Sequence, residues 1–181
     1  MTDANALDTR TEAVELRRAN EVCRVVTATR CDARPEKVWQ GILYYEQIPE
    51  RPPFLLRILL PVPIRTIGSK SAVGDEALCE YVGGHLRKRV TEIEPARLYR
   101  FSVVEQSLPI GDLRLHGGAY VIREVPEGGS ELSLETQYQS GRRPRWLWKP
   151  IEAVVCHAFH RHILRAMVRA IDAPASLPPS E

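Results

Sequence analysis

Residues 146–171, WLWKPIEAVVCHAFHRHILRAMVRAI, are the longest segment of the chain whose apolar residues keep a helical period. A step of about 100° per residue gathers Trp148, Val155, Cys156, Phe159, Ile163, Ala166, Met167 and Ala170 on one broad face. His157, Arg161, Arg165, Arg169 and Asp172 gather on the other. A helix with so wide an apolar face must bury it against another layer. Pro144 and Pro150 stand before or within the first turns, and Ala173-Pro174 ends the run. Glu152 is the exception in this pattern, because its carboxylate falls in the middle of the apolar face, where burial demands a partner or a raised pKa.

The layer that receives the helix precedes it. From residue 75 onward the chain reads DEALCEYV, HLRKRVTEIE, LYRFSVVEQ, DLRLHGGAYVIREV and SELSLETQYQS. Gly83-Gly84, Pro95, Pro109 to Gly111 and Glu127-Gly128-Gly129 punctuate these runs. Consecutive strands with such short connections form an antiparallel meander. Alternation then assigns faces. Leu132, Leu134, Thr136 and Tyr138 point to the core; Tyr99, Phe101 and Val103 share a face with Glu105; and Leu86 and Val90 share one with Lys88. Gly117-Gly118 predicts a bulge or sharp bend in the fourth of these runs.

Toward the N-terminus, EVCRVVTAT (21–29) is rich in β-branched residues and reads as the first strand. RPEKVWQGIL follows, with Pro35 at the first helical position and a short helix from Pro35 to Leu43. The segment IPERPPFLLRILLPVPIRTIG holds about two further helical turns between prolines, Phe54 to Leu60. Its apolar surface closes one end of the core or forms a lid over a lipophilic site. Residues 1–19 read as a polar leader and 173–181 as a tail, leaving one domain over 20–172. The expected fold class is therefore α+β, with a curved antiparallel sheet of about six strands wrapped around the long C-terminal α-helix. A sheet curled by glycines and packed on one helix leaves a volume between them that suggests a pocket.

Composition narrows the function classes. The chain has 181 residues, a net charge of +2 and 27% charged residues, which gives no support to nucleic acid binding. The most apolar run, Phe54 to Ile64, is broken by Arg57, Pro61 and Pro63 and falls short of the roughly 20 residues that span a bilayer. The N-terminus lacks an apolar signal region. Cys23, Cys31, Cys79 and Cys156 stand singly and fit a reducing compartment, so the expected location is cytoplasmic.

The order strand, two short helices, meander and long C-terminal helix resembles the START-like, or SRPBCC, superfamily. Its carriers here are RPEKVW (34–39), VGDEALCEYVGGHLRKRVTEIEP (73–95), FSVVEQ (101–106), LHGGAYVI (115–122) and IEAVVCHAFHRHIL (151–164). The resemblance implies the helix-grip fold over about Glu21 to Ile171, and its phrases are most like those of bacterial members. It implies a container rather than its contents, because this fold hosts carriers, receptors and cyclases alike.

The expected site is a pocket walled by Tyr81, Phe101, Val103, Leu134, Tyr138, Phe159 and Ile163, with Lys88, Glu105 and Glu152 reading one polar group of the ligand. The plainer account of those charges is a buried Lys–Glu ion pair that fixes the helix against the sheet. The leading function is binding or carriage of a small lipophilic molecule such as a lipid, isoprenoid or polyketide. One alternative is an aromatase/cyclase-like enzyme in which Glu152 or His160 acts as acid or base on a poly-ketone. Another is a protein-interaction module using residues 54–64. Cys156 and His160 at i and i+4 could begin a zinc site, but no further ligand is evident and no metal is expected. His116-Gly117-Gly118 resembles the oxyanion-hole glycines of esterases, yet no G-x-S-x-G is present, and no G-x-G-x-x-G indicates a nucleotide cofactor. Arg142, Arg143 and Arg145 beside Trp146 and Trp148, with the Arg161, Arg165, Arg169 stripe, suit peripheral contact with anionic lipid or simply a solvated face.

Overall fold

A computed structural model of the chain describes residues 21–44 and 63–172. Strand β1 (Cys23–Cys31) leads through helix α1 (Pro35–Tyr44) to β2 (Pro63–Gly68), β3 (Glu76–Tyr81), β4 (Gly84–Glu94), β5 (Leu98–Gln106), β6 (Leu113–Glu124) and β7 (Ser130–Ser140), and the chain closes with helix α2 (Arg145–Asp172). The seven strands form one antiparallel sheet in the order β1-β7-β6-β5-β4-β3-β2. The expected α+β helix-grip fold is present. The strand count exceeds the expected six because PIRTIG, read from sequence as the end of an apolar connector, pairs with β3 as β2. The second short helix and the lid reading of residues 54–62 lie outside the described residues, as do 1–20 and 173–181.

The hydrophobic layer forms where the concave face of the sheet meets both helices. In β1 alternation turns Val25 and Thr27 inward and leaves Val26 exposed, and in β7 it buries Leu132, Leu134 and Tyr138. From the helices come Val38, Ile42, Ile163, Leu164, Met167 and Ile171. At Gly41 the helices approach so closely that an added Cβ would lie 2.6 Å from Cγ1 of Ile171. Because the last turn of α2 meets α1 through Ile171, Ala170 turns to solvent instead of joining the apolar face.

Curvature comes from breaks in the ladder. Between β6 and β7 the register shifts at Leu115/Gly117, leaving His116 as the extra residue of a bulge. Next to it, a side chain at Gly117 would collide with the Phe101 carbonyl, and one at Gly118 with the Glu135 carbonyl. Only glycine lets the strand bend this tightly against its neighbours. The expected bend at Gly117-Gly118 is thus present, and it turns the sheet around α2.

A buried polar contact seats the middle of α2 on the sheet. His160 is fully buried. Its Nδ1 lies 3.0 Å from Thr27 Oγ1 in β1 and its Nε2 lies 2.8 Å from Thr136 Oγ1 in β7. Cys156 Sγ is 3.5 Å from the same Nε2, and Thr27 Oγ1 also meets His157 Nδ1 at 2.8 Å. His157 therefore belongs to this network and not to the solvent side assigned by the helical wheel. A neutral imidazole, donating through one nitrogen and accepting through the other, satisfies both threonines. Burial, with a smaller contribution from His157, pushes the His160 pKa down to about 4.

The sign of the consequence is fixed. Because the folded state resists protonation that the unfolded state accepts, His160 contributes its full stability above the ordinary histidine pKa of about 6.5 and loses it as pH falls toward 4. The loss reaches about 3 kcal/mol at pH 4. Urea unfolding of the wild type and His160→Gln across pH 7 to 4 should give stability curves that converge as pH falls. Parallel curves over that range would contradict the assignment.

Candidate functional site

A cavity of about 470 Å³ lies between the concave sheet and the N-terminal half of α2. The sheet contributes Tyr81 from β3, Leu86 and Lys88 from β4, Phe101 and Val103 from β5, Gly117 and Tyr120 from β6, and Leu134, Thr136 and Tyr138 from β7. The helix contributes Trp148, Ile151, Glu152, Val155, Cys156, Phe159 and Ile163, while Leu108, Pro109 and Ile110 of the β5–β6 connection form the rim. Sequence reasoning missed that rim, since a loop carries no periodicity to assign its faces.

Beside this connection two strands part. Pairing of β5 with β6 runs from Leu98↔Val121 to Ser102↔Gly117 and extends no further. In β5 the register to β4 also shifts, with Lys88 opposite Val103 but Arg87 opposite Glu105, so Val104 is an inserted residue. That insertion reverses every following side chain. Glu105, expected on the pocket wall, therefore faces outward, where it meets His85 Nε2 at 2.8 Å and Arg87 Nε at 2.9 Å. These contacts hold its carboxyl below the usual range, His85 more than Arg87. Gln106 turns inward instead and bridges the parted strands, donating from Nε2 to the Leu113 carbonyl at 2.7 Å and accepting at Oε1 from the Leu115 amide at 2.8 Å.

Glu152 sits on the wall with its partners already in place. Its side chain is 2% exposed and that of Arg145 11%. Arg145 Nη1 donates to both carboxylate oxygens, at 3.0 and 3.2 Å, and Ser140 Oγ donates at 2.6 Å. The pair spans the first turns of α2, and the Ser140 bond ties them to the end of β7. Arg145, read from sequence as part of a surface basic run, is in fact an internal counter-ion. The signal was available: residues seven apart fall on one helical face.

Lys88 differs. Its Nζ lies 4.7 Å from the centroid of the Phe101 ring, and among the described residues no carboxylate forms an ion pair with it. Burial, the largest influence on its titration, works against its charge. The phenols of Tyr81 and Tyr120 are pushed up, chiefly by burial, and remain protonated donors. Lys88 also borders a second space of about 100 Å³, toward Tyr99 and Met167. At the far end, the buried Tyr138 hydroxyl has no hydrogen-bond partner among the described residues.

Of the two side chains weighed as catalysts, neither is a free acid or base. Glu152 is held by Arg145 and Ser140. His160 lies behind the wall, with Thr136 and Cys156 between it and the cavity. Cys156 lines the space, but burial pushes its thiol up to about 11, far from a thiolate at neutral pH. Among the described residues no group of three or more histidines, cysteines and carboxylates is placed to hold a metal ion. None of the described helices is long and apolar enough to cross a membrane. At the mouth, Arg142 stacks over Trp148 at 5.1 Å, and Trp146, Leu147, Ile151 and Val154 expose apolar surface beside it.

No family model and no curated protein matches the chain. Solved structures do. A protein of Mesorhizobium loti shares 21% identity over 83% of this chain and 97% of its own, with a TM-score of 0.56. One from Chromobacterium violaceum shares 14% over 83% and 98%, with a TM-score of 0.55. The Zhui aromatase/cyclase from a Streptomyces species shares 11% over 87% of this chain and all of its own, with a TM-score of 0.56. At these identities the likeness is one of architecture, and the chain has the helix-grip fold.

Proposed function

We propose that this protein binds or carries a small lipophilic molecule in the cavity between its sheet and α2. The observation that carries this reading is the cavity itself, about 470 Å³ with a largely apolar wall. Spaces of this size and character hold compact organic ligands. The side chains of Phe101, Val103, Leu134, Tyr138, Phe159 and Ile163 offer contact surface, and Tyr81 and Lys88 supply polarity at one end.

The cyclase-like alternative draws support from one of the similar folds, which belongs to an aromatase/cyclase. It requires a group that exchanges protons with a ligand. Glu152 is committed to an arginine and a serine, and His160 is screened by the wall, so the site favours a binder over a catalyst. The interaction-module alternative rests on residues 54–64, most of which lie outside the described residues.

Two measurements test this. N-phenyl-1-naphthylamine, an uncharged dye that brightens in apolar surroundings, should bind the wild type. Val103→Trp and Val155→Trp, which fill the space from opposite walls, should each weaken it about tenfold or more. Dye binding indifferent to both substitutions would contradict the assignment. Glu152→Gln should act on stability, lowering the unfolding free energy by about 3–5 kcal/mol because Arg145 is left buried without its carboxylate. A variant that keeps wild-type stability would return Glu152 to the list of functional groups.

A further inference from the structure

We infer that the molecule taken up by the cavity is a lipophilic acid whose oxyanion is received by Lys88. This rests on the binding reading above and specifies its ligand class. The argument is a charge inventory of the wall. Three lining residues carry formal charge, Lys88, Arg142 and Glu152. Glu152 is neutralised by Arg145 and further held by Ser140. Arg142 sits at the rim over Trp148, with Nη2 3.4 Å from the Ile110 carbonyl oxygen. Only Lys88 projects a charge into the interior without a carboxylate partner among the described residues.

An isolated ammonium in apolar surroundings is costly to the folded chain. The ring of Phe101 offsets part of that cost, since a cation over an aromatic face is attracted by its quadrupole. The remaining deficit is what an anion would relieve. Tyr81 and Tyr120 line the same end of the cavity, each able to donate an O–H to an oxygen lodged against Nζ. An ammonium with two phenols favours a carboxylate or an acidic enol or phenol, with the apolar body lying toward Val155 and Phe159. An apolar alcohol of equal length would gain the body contacts but leave the ammonium unpaired.

The test is displacement of N-phenyl-1-naphthylamine by decanoate and by decan-1-ol at neutral pH. In the wild type decanoate should displace the dye at about tenfold lower concentration than the alcohol. Lys88→Met should abolish that preference while still binding the dye. Lys88→Arg should keep it, and Arg142→Gln should reduce it only slightly. Because Lys88→Met replaces an unpaired charge by an apolar chain of similar size, its ligand-free melting temperature should equal or exceed that of the wild type, which also reports that it folds. Equal displacement by acid and alcohol in the wild type overturns this inference and leaves the apolar-ligand reading standing. Preference lost with Arg142→Gln but retained in Lys88→Met overturns the assignment to Lys88. Failure of the wild type to bind the dye overturns both readings together.

Discussion

The pairing of Glu152 with Arg145 and Ser140 fixes where α2 begins on the sheet, and the shape of the interior follows from it. Both charges sit almost wholly out of water, so neither tolerates loss of the other. About two turns further on, His160 is held between Thr27 and Thr136. Two buried polar points on one helix determine its rotation as well as its position. The helix cannot then settle into the concavity that the Gly117-Gly118 bend creates, and the space between remains open. Apolar packing against α1 secures the C-terminal half of α2 and leaves the N-terminal half to form one wall of a container.

Container and charge answer different needs. A carboxylate pinned by an arginine serves structure; in the proposed function, an ammonium without a carboxylate among the described residues serves recognition. One lies on the helix wall and the other on the sheet wall, and the presence of a counter-ion among the described residues separates their roles. The distinction also bears on chemistry, because the groups best suited to move protons are the ones most fully occupied in holding α2. In the proposed function, a wall with one interior cation that lacks a carboxylate partner among the described residues is matched to selecting a ligand.

Much of this was legible in the sequence because its signals were periodic. The helical wheel of residues 146–171 located the apolar face and the odd carboxylate of Glu152. Strict alternation in β7 assigned Leu132, Leu134 and Tyr138 to the core. Glu105 was misassigned because one inserted residue, Val104, reverses the strand beyond it, and an insertion is invisible to a rule that assumes unbroken alternation. Arg145 was read as surface because its neighbours Arg142 and Arg143 form a basic run, although its sevenfold spacing from Glu152 placed the two on one face. His157 was placed with the arginines by angle alone, whereas Thr27 reaches over from β1 to bond it. β2 was hidden in a proline-rich stretch whose pairing depends on β3 more than on its own residues.

The central claim is that an apolar acid occupies the space between sheet and α2 with its charge at Lys88. A crystal structure of the decanoate complex tests it most directly. The account predicts the alkyl chain lying between Val103 and Val155, with a carboxylate oxygen within hydrogen-bonding distance of Lys88 Nζ and the Glu152–Arg145 pair undisturbed. A cavity filled by side chains, or decanoate seated elsewhere with Lys88 turned away, would contradict it.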